Sequence, residues 1–477
     1  MKKVLILLLL VIFSTAAFCQ QKWDLRKIVD YAVANNISIK QAEVQSAISG
    51  LLYKQSKQSL YPNASFNGNT SFNNGRNQDP TSFNLITQSY FNAGLQLQTS
   101  VDIFNWFSKQ NNIIANQWQF EAAKASTDKL RNDISLVIAN NYLQILLAQE
   151  QQNIAQLQLK QTQAQLSNTL KLVKAGSLPE LNAAELEAQA ALDSANYINA
   201  KGNTVQSVLL LKANMNFDAA DSFEIAVPPV ELIPIEKIAD LQPDAVYALA
   251  IKNLPLQRVN EFKLRSALRA ADAAKGRMYP TFSAFGGLSS NFINIKNPVY
   301  LPTGTFSSTF LSPQVDINGN IYKINSPDYA IVGHKGTPFF SQINNNFRQQ
   351  VGVGISVPIF NSGQLRTNFE RSKLDIRTAQ LQQDADNQKT KQDIYQAYNS
   401  ATVALEKFNA SRKSVAASQR TLDFAQKRYA VGMLGTFELI TQQNNFFRAK
   451  LQEVLNQYDF VFKIKVLEFY RGQGMKL

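Results

Sequence analysis

The chain has 477 residues, a formal net charge of +13, one cysteine and one histidine, His334. With so few candidate ligands and nucleophiles, His/Cys metal sites and Ser-His or Cys-His catalytic pairs are nearly excluded, and we expect no metal, no cofactor and no enzyme. An enzyme that uses only carboxylates remains an alternative. The basic residues are scattered along predicted helices, which indicates a solvated surface rather than a nucleic-acid site.

Residues 1–19 have the pattern of a cleaved secretory signal. Two lysines follow the first methionine, an apolar run too short to cross a bilayer covers residues 4–13, and small residues stand at Ala17 and Cys19. We therefore expect export, cleavage after Cys19 and a mature chain without disulfides. Lipidation of Cys19 is the alternative, and the bulky Phe18 disfavours it.

After the signal, the apolar period changes from that of a helix to that of a strand. Residues 24–60 predict a helix that ends at Tyr61-Pro62, because proline removes a backbone donor and disfavours helix in the residue before it. Residues 63–73 and 92–103 then alternate apolar side chains with uncharged amides and hydroxyls. Such alternation is typical of strands with one apolar and one polar face.

We expect these two stretches to form a β-hairpin over residues 62–103, with the polar connection 74–90 as an external loop. In an exported chain, alternating strands of about ten residues favour a membrane barrel with a wet lumen. An ordinary half-buried sheet would show the same alternation, so it remains an alternative at this point.

The stretch that follows predicts one long helix over residues 104–175. It contains no proline and no glycine, and its apolar residues recur at helical spacing. At 1.5 Å per residue such a helix is roughly 100 Å long. Gly176 ends it, an alanine-rich helix is expected over 180–213, and an irregular proline-containing segment is expected over 214–243.

The same design returns in the second half of the chain. The tripeptide Ile-Phe-Asn that opens the first long helix recurs at 359–361, and the glycine that ends it recurs as Gly432. We therefore expect two structural repeats, 20–243 and 244–477. After its first helix, the elements expected in the second repeat are a β-hairpin over 280–360 whose external loop covers 293–347, a long helix over 361–431 and a last helix over 436–471.

The predicted strands are too few to close a barrel within one chain. Four strands cannot enclose a water-filled lumen, and a bilayer does not tolerate open sheet edges. The chain must then oligomerise, and cyclic closure is the simplest solution, with three copies supplying twelve strands and twelve helical columns. The residues by themselves predict a fold that is mainly α with membrane β, in which long antiparallel helices accompany four strands that each chain contributes to a barrel closed by several copies.

Taken in order, the motifs resemble those of the TolC-type family of outer-membrane efflux and secretion channels. The motifs that carry the resemblance are Tyr-Pro at 61–62 and 279–280, Asn253-Leu-Pro-Leu256, Pro358-Ile-Phe360 and the glycine-ended turns 171–176 and 427–432. The resemblance implies a homotrimer with a twelve-stranded barrel in the outer membrane, a helical tunnel in the periplasm and a mixed equatorial region around the tunnel.

The resemblance also implies the exit duct of a tripartite efflux pump or type I secretion system, gated at its periplasmic tips. The implied partners are two further copies of the chain, outer-membrane lipid, a periplasmic adaptor (membrane fusion) protein and an inner-membrane RND or ABC pump. The sequence does not identify the exported substrate. The alternatives are a structural or adhesive trimeric coiled-coil surface protein and, less favoured, a periplasmic carboxylate-based enzyme.

The resemblance further assigns roles to residues at two helix tips. The implied adaptor contacts are Gly176, Ser177, Leu178, Gly432, Met433 and Leu434. The implied aperture and gate residues are Glu438, Thr441, Asn182, Glu185 and Tyr429.

The aperture residues only partly follow the family pattern. Family members carry acids six and nine positions after the second tip glycine, where this chain has Glu438 and Thr441. Asn182 stands where an acid is common, and Leu434 stands where the family has an arginine. Tyr429 matches a latch tyrosine, for which a hydrogen bond to Asn182 is one option. The alternative role for Glu438 and Glu185 is that of solvated first-turn acids, which the helix dipole favours.

Overall fold

The computed structural model describes residues 22–78, 85–227, 233–308 and 312–472. The predicted signal over residues 1–19 and its cleavage site after Cys19 lie outside the described residues. The chain forms two compact units. The helical unit is built from the residues up to Lys54, from Ile114–Ala270 and from the residues after Glu370, and the sheet unit is built from Gln55–Ile113 and Ala271–Glu370.

The helices follow the apolar periodicity of the sequence. They are α1 (Leu25–Asn35), α2 (Ile37–Gln58), α3 (Ser108–Lys174), α4 (Glu180–Met215), α5 (Pro243–Asn253), α6 (Pro255–Gly276), α7 (Phe339–Asn345), α8 (Gln364–Ala430) and α9 (Thr436–Tyr470), with a 3-10 turn at Ile238–Asp240. Helices α3 and α8 have 67 residues each. None of the helices in the described part of the chain is both long enough and apolar enough to cross a membrane.

The expectation of one continuous helix over 24–60 is wrong, because the chain bends at Asn36. This residue has an extended ψ of 128°. Its side-chain oxygen accepts a hydrogen bond from the Ser38 amide over 2.9 Å, which caps the start of α2. The second repeat bends in the same way between α5 and α6, where Leu254 has a ψ of 134° and precedes Pro255.

Both long helices begin a few residues later than expected, because a left-handed pair of residues precedes each of them. Before α3, Trp106 and Phe107 have φ of 53° and 60°. Before α8, Ser362 and Gly363 have φ of 55° and 76°. Non-glycine residues rarely adopt this conformation, so each pair marks a sharp turn into a helix.

The strands lie in the sheet unit. They are β1 (Asn63–Gln78), β2 (Leu85–Phe104), β3 (Thr281–Ile293), β4 (Lys296–Ser307), β5 (Gln314–Ile317), β6 (Asn320–Lys323), β7 (Ser326–Gly336) and β8 (Arg348–Ser356). Four of them form an antiparallel sheet in the order β1-β2-β3-β8. Its register pairs Phe66 with Leu97 and Leu97 with Leu288, so the apolar side chains share one face.

The two predicted external loops contain more strand than expected. Strands β1 and β2 remain paired from Asn74↔Ser89 to Gln78↔Leu85, so most of the expected loop 74–90 is hairpin. In the expected loop 293–347, β4 pairs with β7, β5 pairs with β6, and α7 packs on β3. The proline and glycine content of these segments predicted irregular backbone. In the structure, the backbone N–H and C=O groups of these segments instead form hydrogen bonds between paired strands.

The core of the helical unit consists of two apolar clusters. The larger cluster joins α1, α3, α4 and α9 through residues that include Ile28, Ala32, Ile138, Ile145, Leu146, Leu211, Met215, Tyr458 and Val461. The second joins α5, α8 and α9 through residues that include Val246, Ala250, Ile394, Ala401, Ile464 and Leu467. Burial of these side chains is the main term that stabilises the unit.

The described part of the irregular segment 214–243 is packed onto these helices. Phe217 and Phe223 lie on Trp23, with ring centroids 5.7 and 5.3 Å away. Lys465 on α9 is 2% exposed and donates a hydrogen bond to the Pro234 carbonyl. The segment is therefore irregular in backbone conformation but held by specific contacts.

Candidate gate at the helix tips

Each long helix ends in the same kind of turn. Gly176 has a φ of 71° and Gly432 a φ of 75°. The amides that follow the two glycines donate to the carbonyls five residues earlier, from Ser177 to Leu172 over 2.9 Å and from Met433 to Arg428 over 2.8 Å. These are Schellman turns, which favour glycine. A Cβ added at either glycine would meet nothing within 4 Å, so the backbone angle rather than space accounts for glycine.

The residues expected to contact an adaptor are mostly exposed. Gly176, Ser177 and Gly432 are exposed, and Met433 is 68% exposed. Leu178 and Leu434 are half-buried. The second tip rests on an apolar base, which consists of Leu422, Ala425, Leu439, Tyr429, Leu434 and Phe446. It therefore combines an exposed rim with a packed base.

Tyr429 hydrogen-bonds two threonines rather than Asn182. Its hydroxyl lies 3.3 Å from the hydroxyl of Thr169 on α3 and 3.3 Å from that of Thr436 on α9. Both threonines are almost fully buried. The tyrosine at the end of α8 is thus tied to α3 and to the first turn of α9.

The acidic and amide side chains of the expected aperture, Glu438, Glu185 and Asn182, form no hydrogen bond with Tyr429 in the described part of the chain. Glu438 is exposed in the first turn of α9, and Glu185 is half-buried on α4. Neither forms an ion pair with a described residue. Asn182 is half-buried, and the Thr441 hydroxyl donates to the carbonyl four residues earlier over 2.8 Å. For Glu438 the aperture role and the role of a solvated first-turn acid are both compatible with this arrangement, whereas Glu185 is half-buried and lies beyond the first turn of α4.

A polar layer that is buried at its centre lies further along the same helices. It consists of Gln158, Thr162 and Gln165 on α3, Gln189 and Asp193 on α4, and Gln443 and Asn444 on α9. At its centre Asp193 is 1% exposed. The Asp193 carboxylate accepts hydrogen bonds from the Thr162 hydroxyl over 2.7 Å and from the amides of Gln158 and Gln189 over 2.8 Å each. No described cation is paired with it.

The polar layer extends to α9 through two further contacts. The Gln158 amide also donates to Asn444 over 3.1 Å, and the Gln443 amide donates to Gln165 over 2.6 Å. Hydrogen bonds are directional and weaken steeply when misaligned. The layer therefore fixes how α3, α4 and α9 are aligned along their lengths.

Sequence reasoning missed the polar layer and both threonine partners of Tyr429. One signal was present, since Asp193 stands seven residues after the fully buried Leu186 and so shares its helix face. Thr436 stands seven residues after Tyr429, but no local pattern points to Thr169 on another helix. Among the described residues no group of three or more His, Cys, Asp or Glu side chains could hold a metal ion.

The sequence matches the family model described as outer membrane efflux protein over residues 28–216 and 246–463. The outer membrane efflux protein BepC of Brucella suis biovar 1 (strain 1330) is 27% identical over 111 residues, which are 23% of this chain and 24% of BepC. The outer membrane protein TolC of Escherichia coli (strain K12) is 22% identical over 119 residues, 25% of this chain and 24% of TolC. Each alignment thus spans about a quarter of the relative's length.

The solved structure of CusC, described in connection with transmembrane channel formation, covers far more of the chain. It superposes with a TM-score of 0.74 at 16% identity, over 94% of this chain and 92% of CusC. At that identity the likeness establishes the fold. With the family match over both halves, it follows that this chain belongs to the outer membrane efflux protein family, whose members are channels of the outer membrane rather than enzymes.

Proposed function

We propose that the protein is the exit duct of a tripartite efflux pump or type I secretion system and works as a homotrimer in the outer membrane. Its helical part extends into the periplasm and contacts an adaptor protein, which joins it to an inner-membrane RND or ABC pump. It carries out no covalent chemistry. Solutes leave through a water-filled lumen that the polar face of the sheet lines.

The observation that carries this proposal is the incomplete four-stranded sheet. Its apolar face is uncovered in one chain, with Phe66, Val351 and Val353 exposed by 67, 92 and 80%. Strands β1 and β8 are the two edges of the sheet, so each has one side that pairs with no described strand. Pairing of β1 in one copy with β8 in the next would remove both edges, and outer-membrane lipid would cover the apolar face.

The tips supply the gate in this proposal. Tyr429, bonded to Thr169 and Thr436, holds the second tip closed. The aperture is lined by Glu438 and Thr441 after the second tip, and by Asn182 and Glu185 after the first. Three copies of the Glu438 carboxylate would favour cations there. The tip residues contact the adaptor: the exposed Gly176, Ser177, Gly432 and Met433, and the half-buried Leu178 and Leu434.

Extraction and conductance test the proposal directly. We expect a detergent-extracted trimer that forms small, mostly closed pores in planar bilayers. Tyr429→Phe should raise the open fraction roughly 2- to 10-fold, since the hydroxyl's hydrogen bonds are worth about 0.5–1.5 kcal/mol. Glu438→Gln should reduce the cation preference, measured as a shift in reversal potential.

The matched control is Tyr395→Phe on the same helix, α8. Its hydroxyl donates to Asp244 on α5, and neither residue lies at a helix tip, so gating should not change. A soluble monomer without conductance would contradict the proposed duct. A conducting trimer whose open fraction is the same in the Tyr429 and Tyr395 variants would contradict the gate.

A further inference from the structure

The polar face of the four-stranded sheet carries a cleft of about 450 Å³. This volume falls within the roughly 300–1,000 Å³ of typical ligand pockets. Side chains from all four strands line it, among them Asn63, Gln96, Gln98, Ser100, Phe285 and Gln350. None of its lining residues is ionisable, so the cleft offers amides, hydroxyls and one aromatic ring.

Phe285 is an exception to the alternation of the sheet. The register pairs it with Ser100 on β2 and Gly352 on β8, which places it on the polar face. Its ring is 38% exposed. A Cβ at Gly352 would come within 2.7 Å of the ring, so the absence of a side chain there leaves room for it. The ring is thus an accessible apolar surface on an otherwise hydrophilic face.

The amides around this ring are free to bind a ligand. The side chains of Gln96, Gln98 and Gln350 make no hydrogen bond to any residue that the structure describes. Elsewhere on the same face some polar side chains pair with one another, as Ser71 does with Asn92. Within the cleft the Ser100 hydroxyl likewise donates to Asn63, whereas the three glutamine amides have no described partner and lie beside the aromatic ring.

We propose that this cleft binds uncharged, sugar-like solutes on their way through the lumen. The apolar C–H face of a sugar ring packs on Phe285, and its hydroxyls exchange hydrogen bonds with Gln96, Gln98 and Gln350. A charged ligand would find no counter-charge among the lining residues. This inference rests on the proposed function, because it requires that the polar face line the passage. Weak binding is what conduction needs, since a solute must also leave.

The test is interruption of the ionic current through the trimer by maltohexaose. We expect the sugar to interrupt the wild-type current, and Phe285→Ala to weaken this block roughly tenfold, the ratio that corresponds to 1.4 kcal/mol. Phe285→Tyr should retain the block. Gly352→Ala, which displaces the ring without removing it, provides a second variant if Phe285→Ala does not assemble.

Two controls separate a site from simple obstruction. Phe72→Ala removes an exposed ring from the opposite, apolar face and should leave the block unchanged. Polyethylene glycol of matched size lacks rings, so its block should not depend on residue 285. Conductance without sugar block, or a block insensitive to Phe285→Ala and Gly352→Ala, would overturn the cleft alone. Absence of any conductance would overturn the proposed duct on which it rests.

Discussion

Along helix α3, the packing of the helical unit changes character between Ile154 and Gln158. From Ile138 to Ile154 the buried side chains are almost all apolar, and Ile138, Ile145 and Leu146 have no exposed surface. From Gln158 to Thr169 the same helix contacts its neighbours through amides and hydroxyls. On α4 and α9 the residues of the polar layer are interspersed with buried apolar residues such as Leu186 and Leu439, so the change of character belongs to α3.

The two regions of α3 contribute differently to the folded state. Apolar burial contributes roughly 25 cal/mol for each Å² removed from water, and it depends little on orientation. A buried polar network adds little net stability, but it penalises every misaligned arrangement, because donors then lose their acceptors. We infer that the apolar region stabilises the unit, whereas the polar layer sets the alignment of the helices that lead to the tips.

The largest effect is expected from a cavity in the apolar region. Leu146→Ala should lower the stability of the helical unit by about 2–5 kcal/mol, because it removes packed methyl groups from a site with no exposed surface. The measurement is the midpoint of thermal unfolding in detergent, followed by circular dichroism. Leu157→Ala on the same helix is the control: this side chain is 53% exposed and should change stability by less than about 0.5 kcal/mol.

An intermediate effect is expected in the polar layer. Asp193→Leu removes the acceptor for Thr162, Gln158 and Gln189, and a buried donor left unpaired costs about 1–3 kcal/mol. Asp193→Asn keeps the shape and one acceptor oxygen, so it should cost less in the same assay. Equal stability of the Leu and Asn variants would mean that packing, not hydrogen bonding, holds this layer. Glu187→Leu, an exposed acid on the same helix, serves as the control.

The smallest effect at neutral pH is expected at Tyr142 in the apolar region. Burial, with a smaller contribution from the charge of Asp24, raises the pKa of Tyr142 to about 12 from an ordinary value of 10. The folded state holds this proton more tightly than the unfolded state, so the stabilisation is complete below pH 10 and is lost as pH rises towards 12 and beyond. The slope for one such group is at most about 1.4 kcal/mol per pH unit.

Tyr142→Phe should therefore flatten the alkaline loss of stability between pH 10 and 12. At neutral pH it removes one hydrogen bond, from the hydroxyl to the Ala226 carbonyl over 2.6 Å, which is worth about 0.5–1.5 kcal/mol. The measurement is the unfolding midpoint as a function of pH. An alkaline slope identical to that of the wild type would show that other groups govern it.

Several features of the fold were accessible from local sequence patterns. The absence of proline and glycine between Phe104 and Gly176 predicted a long helix. Gly176 and Gly432 predicted where the two long helices end, because a Schellman turn involves only a few consecutive residues. Alternation at 63–73 and 92–103 predicted strands whose apolar side chains share a face. The break at Asn36 was missed, although an asparagine that can cap the next helix is a local signal.

The candidate site was less accessible. Tyr429 was identified, but its partners were not, since Thr169 precedes it by 260 residues and no pattern within either helix points to the other. Asp193 looked like any acid on an alanine-rich helix. The paired strands within 293–347 were also hidden, because pairing such as Tyr329 with Pro302 joins segments of irregular composition.

The sequence by itself determined the order and type of the long elements, the two glycine turns and the repeat that relates the two halves of the chain. These depend on periodicity and backbone preference, which act over a few residues. Only the tertiary structure decided that Asp193 lies among neutral donors, that Tyr429 is tied to two threonines and that Phe285 covers a glycine on the polar face. Each of these depends on which helix or strand lies alongside and in which register, and that choice is made by packing over the whole chain.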